Sequence, residues 1–263
     1  MQVVECRDCV AAWQWPQLWN AQESIAFFEH EYGEQSGYYA PEYKAKVCDL
    51  RLNFLRTLRP PGRLLDLGAG AGEFVRTAAR AGWNALGLDV AGMDADYPDG
   101  AQVRRGTIDR VPRDERFDVI TMWDVVEHLP EPTSVLAEAR DRLANHGVLV
   151  LETGNYHSAD RIQGGPKWWC FHFDHKWYFT PDVLVKELRS LGFTSFAHAD
   201  RVFDPEWHGS ADCGRPSLLP YLKRSIKRPH KMIAVWSEYR ELSRLTTDTP
   251  YAGLGIFAVA AWR

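Results

Sequence analysis

Thirteen residues, Trp168 to Thr180 (WWCFHFDHKWYFT), concentrate seven aromatic side chains with two histidines, a cysteine and an aspartate. Cys170, His172, Asp174 and His175 are metal-ligand types, but they serve equally well as the lining of an aromatic pocket or as core and turn residues. Cys170, His172 and His175 are spaced i, i+2, i+5, which matches neither CxxC nor HxxxH, and no metal is expected there. As a pocket, the stretch offers imidazoles whose ionisation near working pH suits removal of a proton from a hydroxyl.

A second stretch with chemistry in it is LLDLGAGAGEF, Leu64 to Phe74. Glycines at 68, 70 and 72 can take positive φ and let a ligand lie against the backbone. Asp89 follows Gly68 by 21 residues, a distance suited to a carboxylate that accepts from ribose hydroxyls. The spacing is GxGxG, whereas the dinucleotide fingerprint carries its third glycine one residue later. Asp66, two residues before the first glycine, is unhelpful beside a pyrophosphate and suits a ligand bearing an ammonium group. Two weaker signals remain. Cys6 and Cys9 form a CxxC resembling half of a zinc ribbon, but Cys48, Cys170 and Cys213 do not supply a second pair, so it reads as a remnant or mobile tail. Lys223, Arg224, Lys227, Arg228, His230 and Lys231 form a basic run that suits a membrane surface or an acidic partner, with a solvated helix face as the plainer reading.

The elements that must position these residues alternate. The pattern predicts a helix over 42–58, with Val47, Leu50, Asn53, Phe54 and Leu58 near one face, stopped by Pro60-Pro61-Gly62. Strands are predicted at 63–67, 84–90, 102–105, 117–123 and 148–152. Helices are predicted at 73–80 and 132–144. The segment 91–100 is polar and short for a crossover helix. Thr180-Pro181-Asp182 starts a helix that runs to Leu191, a sixth strand lies within 193–203, and IFAVAAW at 256–262 is the last. Apolar strands alternating with helices predict a mostly parallel sheet covered on both faces, an α/β fold of the Rossmann-like, doubly wound kind. An insertion of roughly 50 residues before the last strand is too long for an unstructured loop.

The chain of 263 residues is 45% apolar and 25% charged, and nothing in it approaches the ~18 consecutive apolar residues of a membrane span. No secretory signal is read in MQVVECRDCVAAW, and five irregularly spaced cysteines imply a reducing, cytoplasmic setting. A net charge of −4 argues against nucleic acid as a partner. Eleven tryptophans, clustered at 13–19 and 168–177, mark a local feature.

Four blocks in order, LLDLGAGAGEF, GLDV at 87–90, FDVITMWDVVEHLPEP at 117–132 and HKWYFTPDVLVKELRSLGF at 175–193, resemble the class I S-adenosylmethionine-dependent methyltransferases. The resemblance implies a seven-stranded sheet whose last strand runs antiparallel beside the fifth, with S-adenosylmethionine as cofactor. It implies a core over 59–203 completed by 246–263, with 1–58 and the helical insertion 204–245 capping a small-molecule acceptor. By position, Asp66, Gly68, Ala69, Gly70 and Gly72 surround the methionine part. Asp89 binds the ribose, Val90 touches adenine, and Thr107, Ile108 and Asp109 flank the ring. Trp123 and Asp124 close the far side near the sulfonium. The aromatic stretches WQWPQLWN and EYGEQSGYY are expected to fold over the pocket, with Tyr38 or Tyr39 near the methionine end. Trp168, Trp169, Tyr178 and Tyr39 are the expected acceptor contacts. His175 is the expected base for O-methylation by direct displacement, with His172 and His128 as alternatives. N- or C-methylation, or a non-methyl or non-catalytic use of the cofactor, stays open, as do the acceptor's identity and the oligomeric state.

Overall fold

A computed structural model describes residues 2–8, 10–17, 20–33, 41–199 and 256–263, with isolated positions between 222 and 240. Tyr38 and Tyr39, Cys9, Cys213 and most of the basic run lie outside the described residues.

The chain opens with a hairpin of β1 (Gln2–Glu5) and β2 (Ala12–Trp15), and Cys6 sits in its turn, not in a loose tail. Helix α1 (Ala21–Gly33) begins at a capping box: Asn20 Oδ1 accepts from Glu23 N at 3.0 Å and Glu23 Oε2 accepts from Asn20 N at 2.8 Å. Helix α2 (Pro41–Leu58) buries Val47, Cys48, Leu52 and Leu55. That face is rotated from the predicted one, so Arg51 falls in its middle; the rotation is tolerable because two carboxylates meet the guanidinium there.

The core follows: β3 (Arg63–Leu67), α3 (Glu73–Arg80), β4 (Asn84–Asp89), β5 (Ala95–Asp96), β6 (Gln102–Arg105), β7 (Phe117–Trp123), α4 (Pro132–Asp141), β8 (Leu143–Gly154), α5 (Ala159–Gly164), β9 (Trp177–Tyr178), α6 (Pro181–Ser190), β10 (Ser195–Ala199) and β11 (Ile256–Trp262). The main sheet has the order β10-β11-β8-β7-β3-β4-β6-β5. Its seven long strands are the predicted ones, and β11 runs antiparallel between β8 and β10 as expected. The eighth, two-residue β5 adds an antiparallel edge within the polar segment 91–100. Helix α4 stops earlier than predicted and β8 starts at Leu143, because Phe117 pairs with Leu143 and an irregularity then lets Val119 meet Val148. Thr180 caps α6 as predicted, its Oγ1 accepting from Val183 N at 3.2 Å.

Alternate strand residues supply the two faces of the sheet. Leu65, Ile120, Met122, Leu149, Leu151 and Val259 pack under α4 and α6, while Leu64, Val119, Val148, Val150 and Ala258 pack under α2 and α3. A separate small sheet joins β1, β2 and β9, with Ala12 opposite Tyr178 and Trp13 opposite Trp177. Among the described residues no helix is long and apolar enough to cross a membrane.

Candidate active site

The parallel strands β3 and β7 sit side by side while β3 also bonds β4, which makes a switch point at their carboxyl ends. A cleft of ≈ 630 Å³, counted to its open mouth, lies there. One wall is α2, through Tyr43, Lys44, Val47, Cys48 and Arg51; the other is Asp66, Gly68, Ala69, Glu73, Phe74, Trp123 and Asp124.

The glycine turn shapes the floor. Gly68 has φ +78, and a Cβ there would come within 2.3 Å of Val125. Gly70 also has positive φ, +54, but nothing lies within 4 Å of where its Cβ would be, so the backbone is bare to a ligand. Asp89, at the end of β4, ties the turn down: Oδ2 accepts from Gly70 N at 2.7 Å, and Oδ1 from Ala91 N at 2.8 Å and Gly92 N at 3.1 Å. Asp66 lies deeper and buried, accepting from Thr121 Oγ1 at 2.6 Å. Burial lifts its carboxyl to about 7, against the pull of Thr121 and Arg51.

The far wall carries more charge. Asp124 leaves β7 with φ 56, a left-handed conformation uncommon outside glycine. Its Oδ2 accepts from Arg51 Nη2 at 2.8 Å, while Arg51 Nε donates to Glu152 Oε1 at 2.9 Å. Glu152, the acid ending the apolar run VLVLE, is fully buried and is raised to about 8 by that burial, with Arg51 opposing. Lys44 and Glu73 pair at 3.0 Å across the mouth.

Behind Asp124 is a knot of titratable groups. Glu127, His128 and His175 each bring one ligand-type atom within 4.8 Å of the others, a spacing that three groups sharing a cation can have, although no metal was expected of this chain. His128 Nδ1 lies 3.2 Å from the carbonyl oxygen of Asp174 and 3.6 Å from its Oδ2. His175 stacks edge-on to His128 at 4.6 Å, lies 5.2 Å from His172, and brings Nδ1 to 3.5 Å from Cys170 Sγ. Burial, reinforced by the two neighbouring imidazoles, holds His175 well below the usual histidine range. Burial lowers His128 too, but Asp174 opposes it. Glu127 is held well above the carboxylate range, first by burial and then by Asp124. Helix α1 crosses this region: Phe28 meets His128 edge-on at 5.4 Å, Phe27 meets Phe173 at 5.1 Å, and Glu29 pairs with Arg105 at the end of β6.

The sequence-predicted residues therefore fall into three groups. Asp66, Gly68, Ala69, Trp123 and Asp124 line the cleft together. Gly70 and Gly72 belong to the same turn, which Asp89 ties down through Gly70, and Val90, Thr107, Ile108 and Asp109 follow the ends of β4 and β6, with Ile108 turned into the core. Trp168 and Tyr178 pack instead in a small core with Ala12, Tyr156 and Cys170, and Trp169 Nε1 donates to Asp160 at the surface. None of these three lines the cleft, nor do His128, His172 and His175. Arg51, Glu127 and Glu152 escaped the sequence reading, although a cation on an apolar helix face and an acid closing a buried strand were both visible signals.

Residues 39–198, more than half of the chain, match the family profile described as a methyltransferase domain. Ubiquinone biosynthesis O-methyltransferase of Cereibacter sphaeroides is 29% identical over 189 residues, covering 63% of this chain and 74% of the relative. That of Roseobacter denitrificans is 27% identical over 252 residues, covering 81% and 99%. Among solved structures, an S-adenosylmethionine-dependent methyltransferase from Archaeoglobus fulgidus shares the fold with a TM-score of 0.55 at 19% identity, over 90% of this chain and 99% of that one. With the switch-point cleft, the glycine turn and the antiparallel β11, this match shows that the chain belongs to the methyltransferase-domain family, among the class I S-adenosylmethionine-dependent methyltransferases.

Proposed function

We propose that this enzyme transfers the methyl group of S-adenosylmethionine to a hydroxyl of a small molecule. The observation that carries the reading is the glycine-floored cleft whose wall residue Asp124 acts electrostatically on an imidazole, His128, that is backed by a carboxylate, Asp174. The names of the relatives favour oxygen as the acceptor atom.

The residues fit the cofactor. Gly70 leaves room for a ligand against the backbone, Asp89 stands where ribose hydroxyls would bond, and Asp66 offers a carboxylate to an ammonium group. S-Adenosylmethionine supplies a methyl group that is already electrophilic because it sits on a sulfonium. What remains for the chain is to orient the acceptor oxygen in line with that methyl, exclude water, and take the hydroxyl proton. His128 is the base we favour over His175, because Asp174 steadies its ring while His175 faces two other imidazoles and a thiol. The test is a mass-spectrometric screen of phenols, alcohols, amines and thiols with the enzyme and S-adenosylmethionine. Methylation confined to hydroxyl compounds is expected, and turnover confined to amines would overturn the assignment of oxygen.

Asp66 makes the cofactor site pH-sensitive. Free, its carboxyl titrates at about 7, so below that pH a proton competes with the ligand's ammonium group. Binding favours the ionised form, so affinity rises with pH and levels off above the free-state value. Between pH 8 and pH 6, S-adenosylhomocysteine affinity should fall about tenfold, the effect of one proton displaced from a site titrating near 7. Isothermal titration across that range measures it, and a flat profile would remove Asp66 from contact with the ammonium group.

A further inference from the structure

We propose that Arg51 is a positioning residue for Asp124, and that Glu152 is the buried anchor that holds Arg51 to that task. The inference rests on reading the cleft as the methyl-donor site and assigns a function to two residues outside the glycine turn.

The three side chains form a graded series from core to cleft. Glu152 is 0% exposed at its side chain, Arg51 13% and Asp124 39%. Arg51 reaches Glu152 Oε1 through both Nε and Nη2, and Nη2 continues to Asp124 Oδ2. The guanidinium carbon lies 5.1 Å over the ring of Trp123, so the fork is fixed in plane as well as at its tips. Glu152 also holds Asp124 directly, because its carbonyl accepts from Asp124 N at 3.0 Å. Asp124 is thus gripped at backbone and side chain by one residue of β8, once directly and once through Arg51. This double grip accounts for a non-glycine residue resting at φ 56 at the mouth of β7.

Adhesion does not require the network. Helix α2 already docks through Val47, Cys48, Leu52 and Leu55. Taking a carboxylate and a guanidinium out of water is costly, and apolar residues of similar volume often hold two elements together as well or better. What the ion network supplies and an apolar contact cannot is direction: it commits one oxygen of Asp124 to Arg51 and fixes where the rest of that carboxylate sits in the cleft. Glu152 keeps Oε2 buried and without a partner among the described residues, a further cost that a purely adhesive contact would not carry.

A double-mutant cycle read by S-adenosylhomocysteine binding tests whether Arg51 acts through Asp124. Arg51→Met and Asp124→Ala are each expected to weaken binding by about tenfold or more, and the double variant should be no weaker than the poorer single one. Independent roles give multiplied losses instead, and a multiplied loss overturns the proposal. So does an Arg51→Met protein that binds like the parent. Should Arg51→Met fail to fold, Glu152→Gln takes its place: it retains the shape of the anchor and should weaken binding several-fold only while Asp124 is present. A Glu152→Gln loss that persists undiminished in the Asp124→Ala background also counts against it. A parent enzyme that binds no S-adenosylhomocysteine removes the donor-site reading itself, which the variants alone would not do.

Discussion

His128→Ala is expected to lower turnover by roughly 10²–10⁴-fold, the loss that follows removal of a general base, while S-adenosylhomocysteine binding stays near that of the parent. His128 presents Nδ1 to Asp174, at 3.2 Å from the carbonyl and 3.6 Å from Oδ2, which fixes the ring and favours its protonated form once a proton arrives. Among the described residues no carboxylate comes within ion-pair distance of His175: its ring neighbours include His128, His172, Tyr178 and the buried Cys170 thiol, and burial among them resists a gained charge. His175→Ala should therefore lose less, through the packing of His128, and His172→Ala less again. All three variants belong in one assay with a chelator control, since Glu127, His128 and His175 converge closely enough to share a cation. A His128→Ala enzyme with near-parent turnover would falsify the assignment and return the role to His175. Chelator-sensitive turnover with bound metal would instead make the cluster an ion site.

Asp89→Ala should weaken S-adenosylhomocysteine binding by about 1.5–3 kcal/mol, the range for hydrogen bonds to a charged group. The structure makes this a compound loss. The carboxylate proposed to meet the ribose also accepts from Gly70, Ala91 and Gly92, so removing it loosens the glycine turn as well as the proposed sugar contact. Asp89→Asn cannot serve all three N–H groups, because its amide nitrogen meets at least one of them donor to donor. A ligand lacking a ribose hydroxyl separates the two effects. It should bind the parent more weakly than S-adenosylhomocysteine does, while Asp89→Ala no longer distinguishes the two ligands. An Asp89→Ala variant that retains the discrimination would leave Asp89 only its role in the turn.

The parts of the site that the sequence disclosed are those written in local grammar. GAGAG between an apolar strand and a helix, and Asp89 at the next strand's end, are read within about thirty residues because turn chemistry and strand period are local. IFAVAAW was legible for the same reason, as a buried run with no other use. What stayed hidden depends on pairing across long stretches of chain. Arg51 becomes a site residue only because Glu152 is opposite it, 101 positions away, and nothing in PEYKAKVCDLRLNFL announces that partner. The aromatic stretch 168–180 misled for a related reason: Trp168, Cys170 and Tyr178 pack with Ala12 of a hairpin made from residues 2–15, so much of its hydrophobic content goes into a small core, while His175 packs against His128. The early start of β8 was likewise invisible, since Leu143 joins the sheet through Phe117 and not through its own neighbours.

The antiparallel β11 has a bearing on how the protein comes into being. β11 lies between β8 and β10 and bonds to both, so β10 has no strand partner among the described residues until β11 arrives. A nascent chain leaving the ribosome can assemble β3 to β8 with their helices, because those pairings join neighbours already made. It must then hold two strand edges apart, one on β8 and one on β10, across the synthesis of the whole intervening insertion. During that interval Val148, Val150 and Leu151 stand on an open edge, the kind of surface that recruits strands from other chains. The sheet that positions Glu152 is therefore completed only when β11 is made, and a chain released before then would carry the glycine turn but leave the β8 edge unpaired.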